Sequence, residues 1–269
     1  MIAKSLPRTQ AATSCVELPD AQRQGMPSPI GTGFFISPDG WFVTAAHVIT
    51  EDNKSDGPVR QDINQGWLMK EARPPTMWTQ LYQSVSFSHV IPECDFALLK
   101  VDFAANATKE LLKGRSESPY IEVSKRQLDE GEPVYAFEYP LPESSAQDLG
   151  SRVVTGSISL CPRVSSAIVV STLFHAGMVM TGEDPQCYVL DKALKYGNSG
   201  GPIVAVETGR VHALCSSFQP VGVPQDYIKD ESGNPIEVVI PSLYGVVSSL
   251  GNKAILDLLE QHQVPLFDE

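Results

Sequence analysis

A serine enclosed by glycines and followed at once by an apolar run limits the fold of this chain more than any other feature. Three glycines within residues 197–201 surround Ser199, and glycine permits backbone conformations and close approaches that a Cβ would block. Pro202 and the apolar residues 203–206 come next. A short, β-branched apolar run after a proline favours a strand over a helix. The stretch therefore predicts a tight turn that presents a hydroxyl at the edge of β structure.

This turn has the parts that acyl transfer needs. The backbone N–H groups of Gly197 and Ser199 can converge on one point beside the serine hydroxyl. Two such donors stabilise the negative charge that builds on a carbonyl oxygen in the transition state. Taken alone, the stretch fits a glycine-rich surface turn equally well.

The rest of the chain favours an all-β fold. Short apolar runs are separated by loops rich in Gly, Pro and Ser, and the turn at 37–40 joins two of these runs as a hairpin. A helical stripe occurs at 252–263. We expect an arm or tail at residues 1–27, a first lobe with its connection at 28–130, and a second lobe with the terminal helix at 131–269.

Composition narrows the partners and the compartment. A net charge of −12 argues against nucleic acid and anionic membranes, and no stretch approaches the roughly 20 apolar residues of a bilayer span. Five scattered cysteines without a C-x-x-C pair suggest neither a zinc site nor a disulfide framework. With no apolar leader at the start of the chain, we expect a cytoplasmic protein with reduced thiols, no metal and no cofactor.

Two further residues stand out at strand edges: His47 among small residues, and Asp95 at the head of an apolar run. A serine hydroxyl is a weak nucleophile at neutral pH and needs a base, for which imidazole is suited. The imidazole in turn needs a carboxylate that fixes its tautomer. A buried histidine and a strand-edge aspartate of purely structural role are the alternatives at this point.

Four segments together resemble the trypsin-like serine proteases, and most closely the bacterial HtrA/Deg-type protease domain. The segments are 31–36, 44–47, 95–99 and 197–202, and the order His, Asp, Ser is that of chymotrypsin. The resemblance implies two six-stranded antiparallel β-barrels with a short C-terminal helix. It also implies that His47 is the general base, Asp95 its orienter and Ser199 the nucleophile, with the N–H groups of Gly197 and Ser199 as the oxyanion hole.

Two departures from this family pattern have consequences. Asn198 stands where secreted trypsin relatives carry the aspartate that pairs with a newly cut N-terminus, so that activation is not expected here. HtrA proteins append a PDZ domain, and the short remainder after Ser199 leads us to expect none in this chain.

The resemblance also places a substrate pocket. Its floor falls at Ala193 and its wall near Ala213, Leu214, Cys215 and Ser216. Since a basic side chain needs a buried carboxylate there, we expect small to medium uncharged P1 residues.

The resulting hypothesis is a serine endopeptidase that cleaves polypeptides and is narrowly specific or controlled by an activating protein partner or effector. One alternative is a latent or inactive binding module of the same fold. The other is an α/β-hydrolase-type esterase, because residues 197–201 also match G-x-S-x-G. That fold would require a helix directly after the serine.

Overall fold

The computed structural model describes residues 2–20, 26–61, 67–72, 77–82, 85–101, 117–139, 143–148, 154–159, 162–172, 187–192, 197–218, 221–229, 235–240 and 244–268. In this part of the chain strands predominate. The helices are α1 (Ile2–Ala12), α2 (Ala46–Ile49) and α3 (Lys253–Gln261). None of these helices has the length and apolar character needed to cross a membrane.

The N-terminal half builds one antiparallel sheet of seven strands. They are β1 (Thr13–Asp20), β2 (Met26–Phe35), β3 (Trp41–Ala45), β4 (Trp67–Ala72), β5 (Met77–Tyr82), β6 (Val85–Ile91) and β7 (Phe96–Val101). Their order is β5-β4-β1-β2-β3-β7-β6. The predicted hairpin is confirmed between β2 and β3, where Gly40 has φ +102 and Ser37 Oγ accepts the Trp41 N–H at 3.0 Å.

The C-terminal half contains a closed barrel. Its strands, with two separate hairpins, are β8 (Val123–Ser124), β9 (Pro133–Glu138), β10 (Glu143–Asp148), β11 (Val154–Ser159), β12 (Arg163–Ser171), β13 (Cys187–Leu190), β14 (Pro202–Ala205), β15 (Val211–Phe218), β16 (Val221–Lys229), β17 (Pro235–Ile240), β18 (Gly245–Ser249) and β19 (Leu266–Phe267). The sequence β14-β9-β12-β13-β18-β15 closes because β14 also pairs with β15, and β8 and β19 extend the sheet from β15. The barrel therefore has six strands, as expected. Strands β10 and β11 pair with each other, as do β16 and β17.

The larger apolar core joins the two halves. It contains residues of β2, β3 and β7 together with Val204 and Leu214 of the barrel, and α3 adds Ile255, Leu258 and Leu259. Burial of each such side chain stabilises the fold by roughly 1.5–3 kcal/mol. Because α3 packs into this shared core, the predicted terminal helix helps to fix one lobe against the other.

The N-terminal segment differs from the predicted arm. Its described residues form α1 and then β1, which pairs with both β2 and β4. The polar sequence of α1 gave no sustained period. The helix is instead held by distant contacts: the Tyr135 hydroxyl lies 2.8 Å from Thr9 Oγ1 and from Ser5 Oγ, and Arg8 pairs with Glu122 at 2.9 Å. Such contacts leave no local signature in the sequence.

The element after Ser199 distinguishes the trypsin-like fold from the α/β-hydrolase-type fold. Residues Pro202–Ala205 form β14, a buried strand, where an α/β-hydrolase would have a helix. The esterase alternative is therefore wrong.

Candidate active site

His47 lies on α2, directly after β3 leaves the first sheet. This short helix is tied to the segment that carries Asp95, because the Ala46 N–H donates to the Asp95 backbone carbonyl at 2.9 Å. The His47 side chain is 23% exposed. The imidazole is thus held on one side and remains accessible from solvent.

Asp95 is aimed at this imidazole by an unusual backbone conformation. It ends a 3-10 turn (Pro92–Cys94) with φ 45 and ψ 40, a left-handed conformation that Asp tolerates better than bulky residues. His47 Nδ1 lies 2.8 Å from Asp95 Oδ2 and 3.0 Å from Oδ1. Since a carboxylate only accepts hydrogen bonds, Nδ1 carries a proton, and in the neutral imidazole Nε2 is the atom with the free lone pair.

The Asp95 carboxylate collects donors from three elements. The His47 backbone N–H and Ser55 Oγ donate to Oδ1 at 3.1 and 2.7 Å, and Ser216 Oγ on β15 donates to Oδ2 at 2.6 Å. Burial alone would raise the pKa of Asp95, but the hydrogen bonds from His47, Ser216 and Ser55 and the attraction to His47 outweigh it, so this pKa lies below its usual value. The carboxylate therefore stays ionised beside the imidazole.

The serine turn is fastened to β2. Thr32 donates its N–H to the Ser199 carbonyl and its hydroxyl to the Gly197 carbonyl, both at 2.8 Å. A Cβ at Gly31 would lie 3.0 Å from the Ser199 carbonyl oxygen and 2.7 Å from Val48. Since Val48 follows His47, this contact brings the serine turn and α2 against the same point of β2.

The barrel holds the other side of the turn. The Gly200 N–H donates to the Cys215 carbonyl at 2.7 Å, and the Cys215 N–H donates to the Gly201 carbonyl at 2.8 Å. Gly200 has φ +84, and a Cβ there would lie 2.2 Å from the Thr32 carbonyl oxygen and from Thr44 Oγ1. Only glycine fits this position without displacement of its neighbours.

The two predicted oxyanion donors are uncommitted. Among the described residues, neither the Gly197 N–H nor the Ser199 N–H has a backbone or side-chain acceptor, and Gly197 has φ +90. Within the same part of the chain, no hydrogen bond joins Ser199 Oγ to His47. Catalytic hydrogen bonds of unliganded enzymes are often long and shorten only when substrate binds.

Asn198 lies behind these donors and is 1% exposed. Both polar atoms of its side-chain amide are buried and have no hydrogen-bond partner within the described part of the chain. This environment differs from the ion pair that an aspartate makes in secreted relatives, in line with the sequence expectation.

The residues predicted for the pocket wall lie inside the protein. Ala213 and Cys215 belong to the barrel core, and Leu214 to the core shared by both halves. Burial raises the pKa of the Cys215 thiol well above its usual value. The predicted floor, Ala193, lies outside the described residues, so the pocket remains a prediction. The absence of a metal also remains a prediction. No cluster of three potential metal ligands occurs in the described part of the chain.

Sequence reasoning missed the roles of two serines. Ser216 was predicted only near the pocket wall, and the structure shows in addition that its hydroxyl donates to Asp95. Ser55 lies in a polar loop without any motif, so no signal in the sequence pointed to it.

The fold and this site define the class of protein. The family model described as "Trypsin-like peptidase domain" matches residues 31–214, a span from β2 to β15 that includes His47, Asp95 and Ser199. The chain belongs to the trypsin-like peptidase family, which confirms the predicted resemblance. One closed six-stranded barrel and a second sheet agree with the trypsin-like double-barrel fold, but the described strands of the first lobe form a seven-stranded sheet and not the predicted six-stranded barrel, because β1 and β4 add the segments 13–20 and 67–72 to it.

One of two similar curated proteins is an HtrA-type protease. The chain is 28% identical over 179 residues to Serine protease HTRA1A of Danio rerio, covering 66% of this chain and 28% of that protein. It is 27% identical over 215 residues to the uncharacterized protein y4bJ of Sinorhizobium fredii, covering 77% and 26%. The chain thus spans about a quarter of the length of these relatives.

Solved structures share the fold at low identity. The HtrA-type protease AlgW with a decapeptide has a TM-score of 0.57 at 16% identity, covering 99% of this chain and 69% of that one. The apo MamO protease domain of Magnetospirillum magneticum has a TM-score of 0.51 at 14% identity, covering 95% and 97%.

Proposed function

We propose that this chain is a serine endopeptidase in which Ser199 is the nucleophile, His47 the general base and Asp95 its orienting carboxylate. The observation that carries the proposal is the 2.8 Å contact between His47 Nδ1 and Asp95 Oδ2. It leaves Nε2 as the basic atom of an accessible imidazole, and the serine turn is anchored to the same strand against which α2 packs.

The proposed reaction follows from these roles. Nε2 of His47 takes the Ser199 hydroxyl proton as Oγ bonds to the scissile carbonyl carbon. The oxyanion that forms accepts hydrogen bonds from the N–H groups of Gly197 and Ser199. Asp95 stabilises the imidazolium that forms. His47 then returns the proton to the leaving amine, and a water activated by the same imidazole hydrolyses the acyl-enzyme. No step requires a cofactor.

A fluorophosphonate tests the nucleophile directly. The native protein should acquire one covalent adduct at Ser199, located by peptide mass spectrometry, and Ser199→Ala should acquire none. Ser118→Ala is the matched control, because Ser118 is a buried serine whose hydroxyl bonds to Pro119. It should label at the wild-type rate. An adduct that persists in folded Ser199→Ala would contradict the assignment.

Activity should also depend on pH in one direction. The base must be neutral to accept a proton, so kcat/KM should rise with pH as the imidazole loses its proton. An activity that is greatest in acid and lost by neutrality would point to carboxylate chemistry instead.

A latent form that needs a partner or effector is the second candidate. It is favoured by the buried side-chain amide of Asn198, which has no hydrogen-bond partner among the described residues. In that case the pure protein labels slowly, and addition of a cell extract should accelerate labelling. N-terminal profiling of cells with wild type and with Ser199→Ala would then identify the polypeptide substrates.

We place the protein in a reducing compartment, the cytoplasm. None of the four cysteines in the described residues is in a disulfide, and thiols persist where glutathione and thioredoxin act. Alkylation of the protein as extracted from cells should modify all five cysteines of the chain after unfolding, without prior reduction. A pair protected until reductant is added would contradict this placement.

A further inference from the structure

The loop that follows α2 reaches back to the Asp95 carboxylate. Ser55 Oγ donates to Asp95 Oδ1 at 2.7 Å, and Ser55 is half-buried. The hydroxyl makes no second hydrogen bond among the described residues, so the Asp95 carboxylate is its acceptor. Ser55 therefore contacts the same carboxylate as His47. It does so from this loop, whereas Ser216 reaches the carboxylate from β15.

This loop, residues 50–60, has a closed conformation that determines where Ser55 lies. Thr50 Oγ1 donates to the Lys54 carbonyl at 2.5 Å. The Glu51 N–H donates to the Pro58 carbonyl at 2.9 Å, and the Gly57 N–H to the Lys54 carbonyl at 3.0 Å. These bonds close the loop without help from Ser55. Its hydroxyl is thus available for Asp95 rather than needed for the loop itself.

The donors divide between the two carboxylate oxygens. Oδ2 accepts Ser216 Oγ and the shorter contact from His47 Nδ1. Oδ1 accepts Ser55 Oγ and the His47 backbone N–H, the latter at 3.1 Å. Without Ser55, Oδ1 keeps one long backbone bond and the longer Nδ1 contact. The carboxylate plane could then rotate about its Cβ–Cγ bond away from Nδ1.

We propose that Ser55 is a positioning residue for the active site, which holds the plane of the Asp95 carboxylate so that Oδ2 stays on His47 Nδ1. The inference rests on the proposed serine endopeptidase function. Ser55 acts through Asp95 and His47 and does not touch the reacting atoms. A charge-assisted hydrogen bond of this length is among the stronger ones in proteins, which suits a role in orientation.

The kinetic test compares Ser55→Ala with a neighbour. In Ser55→Ala we expect kcat on a peptide substrate to fall about 3- to 10-fold with KM unchanged, because orientation of the base matters only in the transition state. Ser55→Thr keeps the hydroxyl and should recover most of the loss. Asp56→Ala, at an exposed position of the same loop, should retain wild-type kcat.

A second readout does not require activity. The ¹³C resonance of the Asp95 carboxyl carbon reports its titration, and His47 is the titratable side chain in contact with that carboxylate among the described residues. Loss of one donor should raise the pKa of Asp95 in Ser55→Ala relative to wild type, and Asp56→Ala should leave it unchanged. Ser55→Cys replaces the hydroxyl with a weak donor of similar size. It is the substitute variant if Ser55→Ala impairs folding, and the same rise in the pKa of Asp95 is expected in it.

The two readouts separate failure of the inference from failure of the proposed function. A wild-type protein that neither labels nor cleaves would refute the endopeptidase, whereas the carboxyl titration would still test the hydrogen bond. Wild-type kcat together with an unchanged Asp95 titration in Ser55→Ala and Ser55→Cys would overturn the positioning role.

Discussion

A single methyl group at Gly200 should separate steric exclusion from backbone strain in the serine turn. Gly200 has φ +84, and its added Cβ would lie 2.2 Å from the Thr32 carbonyl oxygen and from Thr44 Oγ1, and 2.7 Å from the Ala45 nitrogen. Gly131 has nearly the same φ, +87, and a Cβ there would meet nothing within 4 Å. The pair Gly200→Ala and Gly131→Ala therefore differs in crowding at matched φ.

The expected magnitudes follow from these distances. Alanine in a left-handed conformation costs roughly 1–2 kcal/mol, and the reduced freedom of the unfolded chain returns about 0.4–1 kcal/mol. Gly131→Ala should thus lower the free energy of unfolding by about 0–1.6 kcal/mol. At Gly200 the methyl group meets a backbone oxygen that cannot rotate away, and such crowding adds roughly 1–3 kcal/mol. Gly200→Ala should therefore lose about 1–3 kcal/mol more than Gly131→Ala.

Urea denaturation followed by tryptophan fluorescence measures both losses. If relief of the clash displaces the turn by an ångström, fluorophosphonate labelling of Gly200→Ala should slow by about 100-fold, whereas Gly131→Ala should label like wild type. Equal losses of stability in the two variants would refute the steric reasoning. A wild-type labelling rate in Gly200→Ala would show that the turn is not constrained by Thr32 and Thr44.

Three further predictions concern other parts of the chain. Burial raises the pKa of Glu17 to about 7, so the wild-type protein should lose stability as pH rises from about 4.5 through 7. Glu17→Gln should remove this loss and add about 1–3 kcal/mol to the free energy of unfolding at pH 8. Urea denaturation that depends equally on pH in the two proteins would contradict this prediction. Tyr135→Phe removes the hydroxyl that contacts Thr9 and Ser5. It should cost about 1–2 kcal/mol and speed proteolysis within α1, which unchanged protection would disprove. A peptide library should yield small to medium uncharged P1 residues, and a profile dominated by Arg or Lys would overturn the pocket prediction.

The parts that sequence predicted best are governed by local rules. The hairpin at 37–40 forms because Ser37, Asp39 and a glycine at positive φ suit a turn. The terminal helix begins at Lys253 after its N-cap Asn252, whose side chain accepts the Ala254 N–H at 2.9 Å. In each case the residues that specify the structure lie within a few positions of one another.

The parts that sequence missed depend on distant partners. Residues 2–20 appeared polar and aperiodic, yet Tyr135 and the edge of β2 organise them into α1 and β1. Spacing alone also did not show that the closure of β14 on β15 buries Cys215 in the barrel core. An alternation of small and apolar residues does not reveal which face of a strand is enclosed.

The sequence by itself determined the family and the candidates: a histidine, an aspartate and a glycine-enclosed serine, in an order and context that few folds use. The positions that require glycine and the chemistry of the side chains are properties of the chain, and both can be recognised from the sequence alone. The tertiary structure decided which hydroxyls reach the carboxylate, because Ser55 and Ser216 are brought to Asp95 by loop closure and strand pairing across two lobes. Contacts of that kind arise from packing between segments far apart in the chain, and no local pattern encodes them.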